Sequence, residues 1–125
     1  MTIKSSTIQE LEKIFSEINN KQFNIETHYK FIKIKKKLKE EIEIINNQIQ
    51  ILIDNYGEKD KNNNLVLTEN GGIKIKAEAL QECENKIKAI NELNIQLPDI
   101  YFSLEELKPL NLSFYQLEIL EPFIK

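Results

Sequence analysis

The chain of 125 residues carries one histidine and one cysteine, His28 and Cys83. Together they could form a thiolate–imidazole pair for nucleophilic catalysis. Cys83, however, lies inside an apolar helical pattern, where a small packed side chain is the simpler role. Zinc would need further nitrogen or sulfur ligands, and no spacing motif links these two residues to any. Asp60-Lys-Asn62-Asn-Asn64 starts like a calcium-binding loop. That loop requires glycine at its sixth position and glutamate at its twelfth, which here are Leu65 and Gly71. The glycines at 57, 71 and 72 are too few and wrongly spaced to cradle a phosphate. We therefore expect no catalytic, cofactor-binding or metal-ligating residue, no cofactor, and a protein that is not an enzyme.

Binding is the stronger theme. Lys30, Lys33, Lys35, Lys36, Lys37 and Lys39 form the densest charge cluster, interleaved with Ile32, Ile34 and Leu38 and followed by Glu40, Glu41 and Glu43. Pairs four apart, Lys36–Glu40, Lys37–Glu41 and Lys39–Glu43, add a few tenths of a kcal/mol each at most. The C-terminal stretch is rich in apolar side chains: Tyr101, Phe102, Phe114, Tyr115, Leu117, Leu120 and Phe123. These residues serve either to cover a helix seam or to line a partner-binding groove. The candidate partner-binding set is Lys30, Lys33, Lys36 and Lys37 with Tyr101, Phe102, Phe114 and Tyr115. No aromatic-rich strand suggests base stacking, so nucleic acid is not the expected partner.

The element that must position these residues is a helix over residues 25–56. Leu38, Ile42, Ile45, Ile49, Leu52 and Tyr56 alternate steps of four and three and share one stripe. At 1.5 Å per residue such a helix is roughly 45–50 Å long. Ile44 and Ile51 form a further stripe. A first helix over 6–19 carries Ile8, Leu11, Phe15 and Ile18, with Thr7 and Glu10 as a capping box. Asn19-Asn20-Lys21 ends it, and the short link through Phe23-Asn24 implies an antiparallel helical hairpin. The first helix is too short to cover the second, so either the C-terminal half or a second copy completes the cover. A homodimer through the seam is expected on this ground.

Gly57–Asn64 reads as a loop, followed by a β-hairpin of 65–68 and 73–76 about Asn70-Gly71. A third helix spans 77–93, 94–97 is a candidate third strand, and Ile3 fits either a short leading strand or a hydrophobic staple. Residues 100–102 fit another short strand. Ser103/Glu106 and Ser113/Gln116 are capping-box signatures for two short helices limited by Pro109 and Pro122. No internal repeat is evident. The expected class is α+β, mostly helical, in a single domain over 1–125, with the helical hairpin at about 6–56 and a mixed portion at about 65–125.

Composition limits the setting. All 17 basic residues are lysine, and the net charge is −3. The absence of arginine removes rigid bidentate clamps for phosphate or carboxylate. Isoleucine, lysine and asparagine dominate, as in proteins from low-GC genomes. One cysteine permits no internal disulfide, which suits a reducing cytoplasm. The first residues lack the apolar run of a signal peptide, and no apolar stretch is long enough for a membrane span.

The order of features resembles a group of small, uncharacterised proteins of tailed bacteriophages and prophages of low-GC bacteria. The resemblance rests on the Lys-rich second helix running into Leu52-Ile-Asp-Asn-Tyr56-Gly57-Glu58-Lys59-Asp60, then an Asn-rich turn and short strand. It continues through Leu93-Asn-Ile-Gln-Leu97 and Leu112-Ser113 to Leu120-Glu121-Pro122-Phe123. It implies a phage or prophage origin, and it supplies neither an activity nor functional residues. Taken with the residues, the expectation is a phage-encoded, non-enzymatic interaction protein in the host cytoplasm. The expected partner is a host or phage protein. The chain would inhibit a host process such as antiviral defence or, alternatively, act as an accessory factor in particle assembly. A binding module for nucleic acid or an anionic ligand, using the Lys30–Lys39 cluster, is the other alternative.

Overall fold

A computed structural model describes residues 1–18 and 24–125. The expected end of the first helix at Asn19-Asn20-Lys21, and Phe23 in the link, lie outside the described residues. The architecture is the expected mostly helical α+β class. Two compact units divide it: Met1–Ile42 with Asn94–Lys125, and Glu43–Leu93. The division falls within the long helix rather than in the loop that follows it.

In the first unit, β1 (Thr2–Lys4) pairs antiparallel with β2 (Asn94–Gln96), with Ile3 opposite Ile95. Both isoleucines are buried. Segment 94–97 therefore joins the start of the chain instead of extending the hairpin. Helix α1 (Ser5–Ile18) follows β1 directly. Thr7 thus lies within its first turn, too late to cap it. Ile8, Leu11, Ile14, Phe15 and Ile18 are buried along one face. Helix α2 (Ile25–Tyr56) has the expected bounds. Asn24 caps it, its side-chain oxygen accepting from Thr27 N–H at 2.8 Å.

Aromatic packing joins α1 and α2. The Phe15 and Phe31 rings meet edge to face with centroids 5.1 Å apart, and Phe102 stacks on Phe31 at 4.3 Å. Phe123 closes the cluster against Phe15 at 6.2 Å. Helices α4 (Leu104–Leu107) and α5 (Phe114–Leu120) both open on complete capping boxes, Ser103/Glu106 and Ser113/Gln116. Pro109 and Pro122 do not stop the chain abruptly. Each sits in a 3₁₀ turn, Lys108–Leu110 and Glu121–Phe123, where a missing N–H costs nothing. The expected strand at 100–102 reduces to one parallel bridge from Phe102 to Ile124.

The second unit departs most from expectation. After α2, the chain forms a ring of three short segments rather than a loop and a hairpin. Gly57 bridges Ile75, Lys59 bridges Leu65, and Leu67 bridges Ile73, all antiparallel. Val66 N–H donates to Glu58 O at 2.8 Å, Lys74 N–H to Val66 O at 2.9 Å, and Glu58 N–H to Lys74 O at 2.8 Å, closing the circle. The register advances by eight residues, from 58 to 66 to 74. An eight-residue repeat therefore runs through 57–64, 65–72 and 73–80, where the sequence showed none. The turns repeat too: Asn63 N–H donates to Asp60 O, Gly71 N–H to Thr68 O and Ala79 N–H to Lys76 O, each at 3.0 Å. Asn63 and Gly71 have φ of 64° and 82°. Glu69-Asn70-Gly71 is thus a three-residue loop with one left-handed residue, instead of the two-residue turn expected. The repeat was hidden because its backbone pairing tolerates Gly-Glu-Lys, Leu-Val-Leu and Ile-Lys-Ile alike.

Gly57 starts the ring where α2 ends. A Cβ there would come within 2.5 Å of Ile53 O and 2.6 Å of a Leu65 methyl. A 3₁₀ turn, Ala77–Ala79, then leads into α3 (Leu80–Asn91), in place of one helix over 77–93. Cys83 is buried on α3.

Along the α2 seam Leu38, Ile45 and Leu52 are each under a tenth exposed, while Ile42, Ile49 and Tyr56 are half-buried. We predict that Gly57→Ala lowers unfolding free energy by about 2–4 kcal/mol, because backbone must move to admit the methyl group. Gly71→Ala meets no atom within 4 Å and should cost only the left-handed backbone penalty, about 1–2 kcal/mol. Urea unfolding followed by circular dichroism separates them, and equal losses would refute the close-approach argument.

Candidate protein-interaction site

All eight sequence-derived candidates lie in the first unit, but they do not form one site. Lys30 is structural. Its Nζ donates to both carboxylate oxygens of Glu106 at 2.9 Å and to Tyr101 O at 2.9 Å, and lies 5.6 Å from the Phe102 ring centroid. Lys37 is paired with Glu41 at 3.0 Å, and that hydrogen bond raises its pKa above the ordinary lysine value. Lys33 is exposed, with Nζ 4.5 Å over the Tyr29 ring, and Lys36 is exposed.

The aromatic candidates divide as well. Phe102 is 1 % exposed and belongs to the core, so it is unavailable to a partner. Its backbone is bound on both sides, N–H to Phe123 O at 2.7 Å and O from Lys125 N–H at 2.9 Å. Tyr101 is half-buried, with Lys125 Nζ 4.5 Å over its ring. Phe114 and Tyr115 stand out at 85 % and 53 % exposed. The C-terminal apolar residues therefore split: Phe102, Leu120 and Phe123 fill the core, whereas Phe114, Tyr115 and Leu117 face outward.

Phe114 and Leu117 lie three apart on α5, hence on one face. Leu117 lines a groove of about 360 Å³ with Leu104, Glu105, Leu107, Lys108, Asn111 and Leu112. Leu104 is exposed on the wall and Leu107 is buried. Two short capped helices make this shape. Between them Asn111 takes a left-handed backbone conformation, with φ of 50°, and each capping box sets a helix start. Leu104, Leu107, Leu112 and Leu117 were missed as site residues. The caps signalled the helices, but nothing in the spacing showed that they enclose a groove.

Glu106 ties α4 to α2. Besides Lys30 it accepts from Thr27 Oγ1 at 3.1 Å and Ser103 N–H at 3.2 Å. The Lys30 hydrogen bond, assisted by Ser103 and Thr27 against the opposing effect of partial burial, holds its carboxyl below the usual range. The groove is apolar, with Glu105 and Lys108 on its lining, which suits a side chain or short helix rather than a charged substrate.

Cys83 is buried and His28 lies in the other unit. Among the described residues, no three His, Cys, Asp or Glu side chains come together as a metal site, and no helix is long and apolar enough to cross a membrane. Comparisons with protein-family profiles, curated proteins and solved structures give no match.

Glu106→Gln keeps the capping geometry but removes the charge, and should cost about 1 kcal/mol after allowance for partial exposure. Because the folded pKa is depressed, the wild-type advantage is complete above the unfolded carboxylate value of about 4.3. It is lost as pH falls through the folded value. Stability measured against pH should show a steeper acid decline for wild type than for Glu106→Gln, and parallel curves would refute this role.

Proposed function

We propose that this chain is a non-enzymatic interaction protein that binds a protein partner through the groove between α4 and α5. The observation that carries this reading is the outward position of Phe114 on the α5 face that also carries Leu117, which lines the groove with Leu104. A side chain of that size gains nothing from water, and apolar exposure next to a concave apolar surface is the usual form of a binding site. Tyr115 adds an aromatic side chain of the kind enriched at interaction hot spots.

The phage-like order of sequence features supplies the setting. In it the partner is a host protein, such as a component of antiviral defence, and the chain acts as its inhibitor in the host cytoplasm. Assembly of phage particles is the alternative, with a particle protein as partner.

The test compares wild type with Phe114→Asp and Leu104→Asp in affinity capture from host lysate before and after infection. Wild type should retain one protein in near-equal amount. Each variant should lose about 2 kcal/mol of binding while its melting temperature stays unchanged. A partner present before infection supports inhibition of the host, and one present only afterwards supports assembly. Retention of the same protein by both variants would reject the groove as the site.

A further inference from the structure

Helix α2 carries a second seam that neither the core nor the α4–α5 groove uses. Ile25, Tyr29, Ile32, Lys36 and Lys39 advance by four, three, four and three residues, so they form one stripe. At 3.6 residues per turn, this stripe lies opposite the buried one of Thr27, Phe31, Ile34 and Leu38. Its apolar members are open: Ile25 is 83 % exposed, Tyr29 57 % and Ile32 49 %. Lys36 and Lys39 are exposed as well. Lys33, stacked on Tyr29, broadens the seam with a third cation. Among the described residues, Lys30 and Lys37 have carboxylate partners, whereas Lys33, Lys36 and Lys39 have none within 4 Å.

We infer that this outer seam docks an acidic amphipathic helix of another protein, with apolar residues against Ile25, Tyr29 and Ile32 and carboxylates against Lys33, Lys36 and Lys39. The four-three spacing is that of helix-to-helix packing, and the change from apolar to cationic along the seam gives the partner a direction. A second copy of this chain does not fit. Paired in parallel, it sets Lys36 and Lys39 against their own counterparts. Paired antiparallel about Ile32, it sets them against Tyr29 and Ile25, and neither of those seam positions is acidic. A nucleic acid leaves the three apolar positions without a partner, since its backbone offers phosphates. A membrane surface needs a broader apolar face than three side chains. The seam lies on a different element from the α4–α5 groove, so the inference stands whether or not that groove binds a partner.

The probe is a synthetic helical peptide of about 18 residues with leucine at three successive seam positions and glutamate at the next two. Its twin carries lysine at those two positions. Binding to the full chain is read by fluorescence anisotropy at low and high salt. The acidic peptide should bind about tenfold more tightly than its twin, and the difference should shrink with salt. Tyr29→Ala should weaken binding about tenfold. The double variant Lys36→Glu/Lys39→Glu should reverse the preference toward the twin, a result that loss of folding cannot produce. Phe114→Asp should leave binding unchanged. Equal affinity for the two peptides, or no binding of either, would overturn the inference. So would tighter binding to phosphatidylglycerol-containing vesicles or to duplex DNA.

Discussion

Four phenylalanine rings hold the first unit together. Phe15 comes from α1, Phe31 from α2, Phe102 from the segment before α4, and Phe123 from the last 3₁₀ turn. Each contributes burial plus about 0.5–1.5 kcal/mol per ring contact, and together they tie both ends of the chain to α2. Once Phe102 is stacked on Phe31, Glu106 is brought to Lys30 and Thr27. One carboxylate then caps a helix and binds a neighbour at the same time. The position of α4, and through it the groove, follows from that anchor.

The second unit relies on a different principle. Its side-chain core is small, with Ile45, Leu52 and Cys83 as its buried apolar side chains among the described residues. Order comes instead from backbone pairing. Three segments that close on one another each satisfy donors and acceptors that an isolated hairpin would leave to water. Closure has a steric consequence at the join with α2, where Gly57 leaves no room for a methyl group. Glycine here serves close approach, and the usual left-handed helix cap is not what it provides.

The exposed side chains carry the functional reading. Where a helix has buried one face, large apolar residues left on another face are costly to solvate and useful to a partner. Two such surfaces appear in the first unit, one aromatic and grooved, the other linear and cationic. They differ in chemistry, one offering a cavity and the other a charge pattern.

Much of this was legible before the structure. The 25–56 helix, the two capping boxes and the helix class follow from short-range rules, since caps and four-three spacing are local physics. Phe114 and Tyr115 were recognisable as candidates by type and position. Lys30 and Phe102 were not separable from their neighbours, because the ion pair to Glu106 and the stack on Phe31 join residues more than 70 positions apart. The eight-residue ring was invisible for a related reason: backbone atoms make it, and they are the same in every residue. The sequence by itself determined which segments become helices and which stripes are apolar. Only the tertiary structure decided which of those stripes the chain covers and which it leaves exposed. That choice depends on contacts that form when distant segments meet.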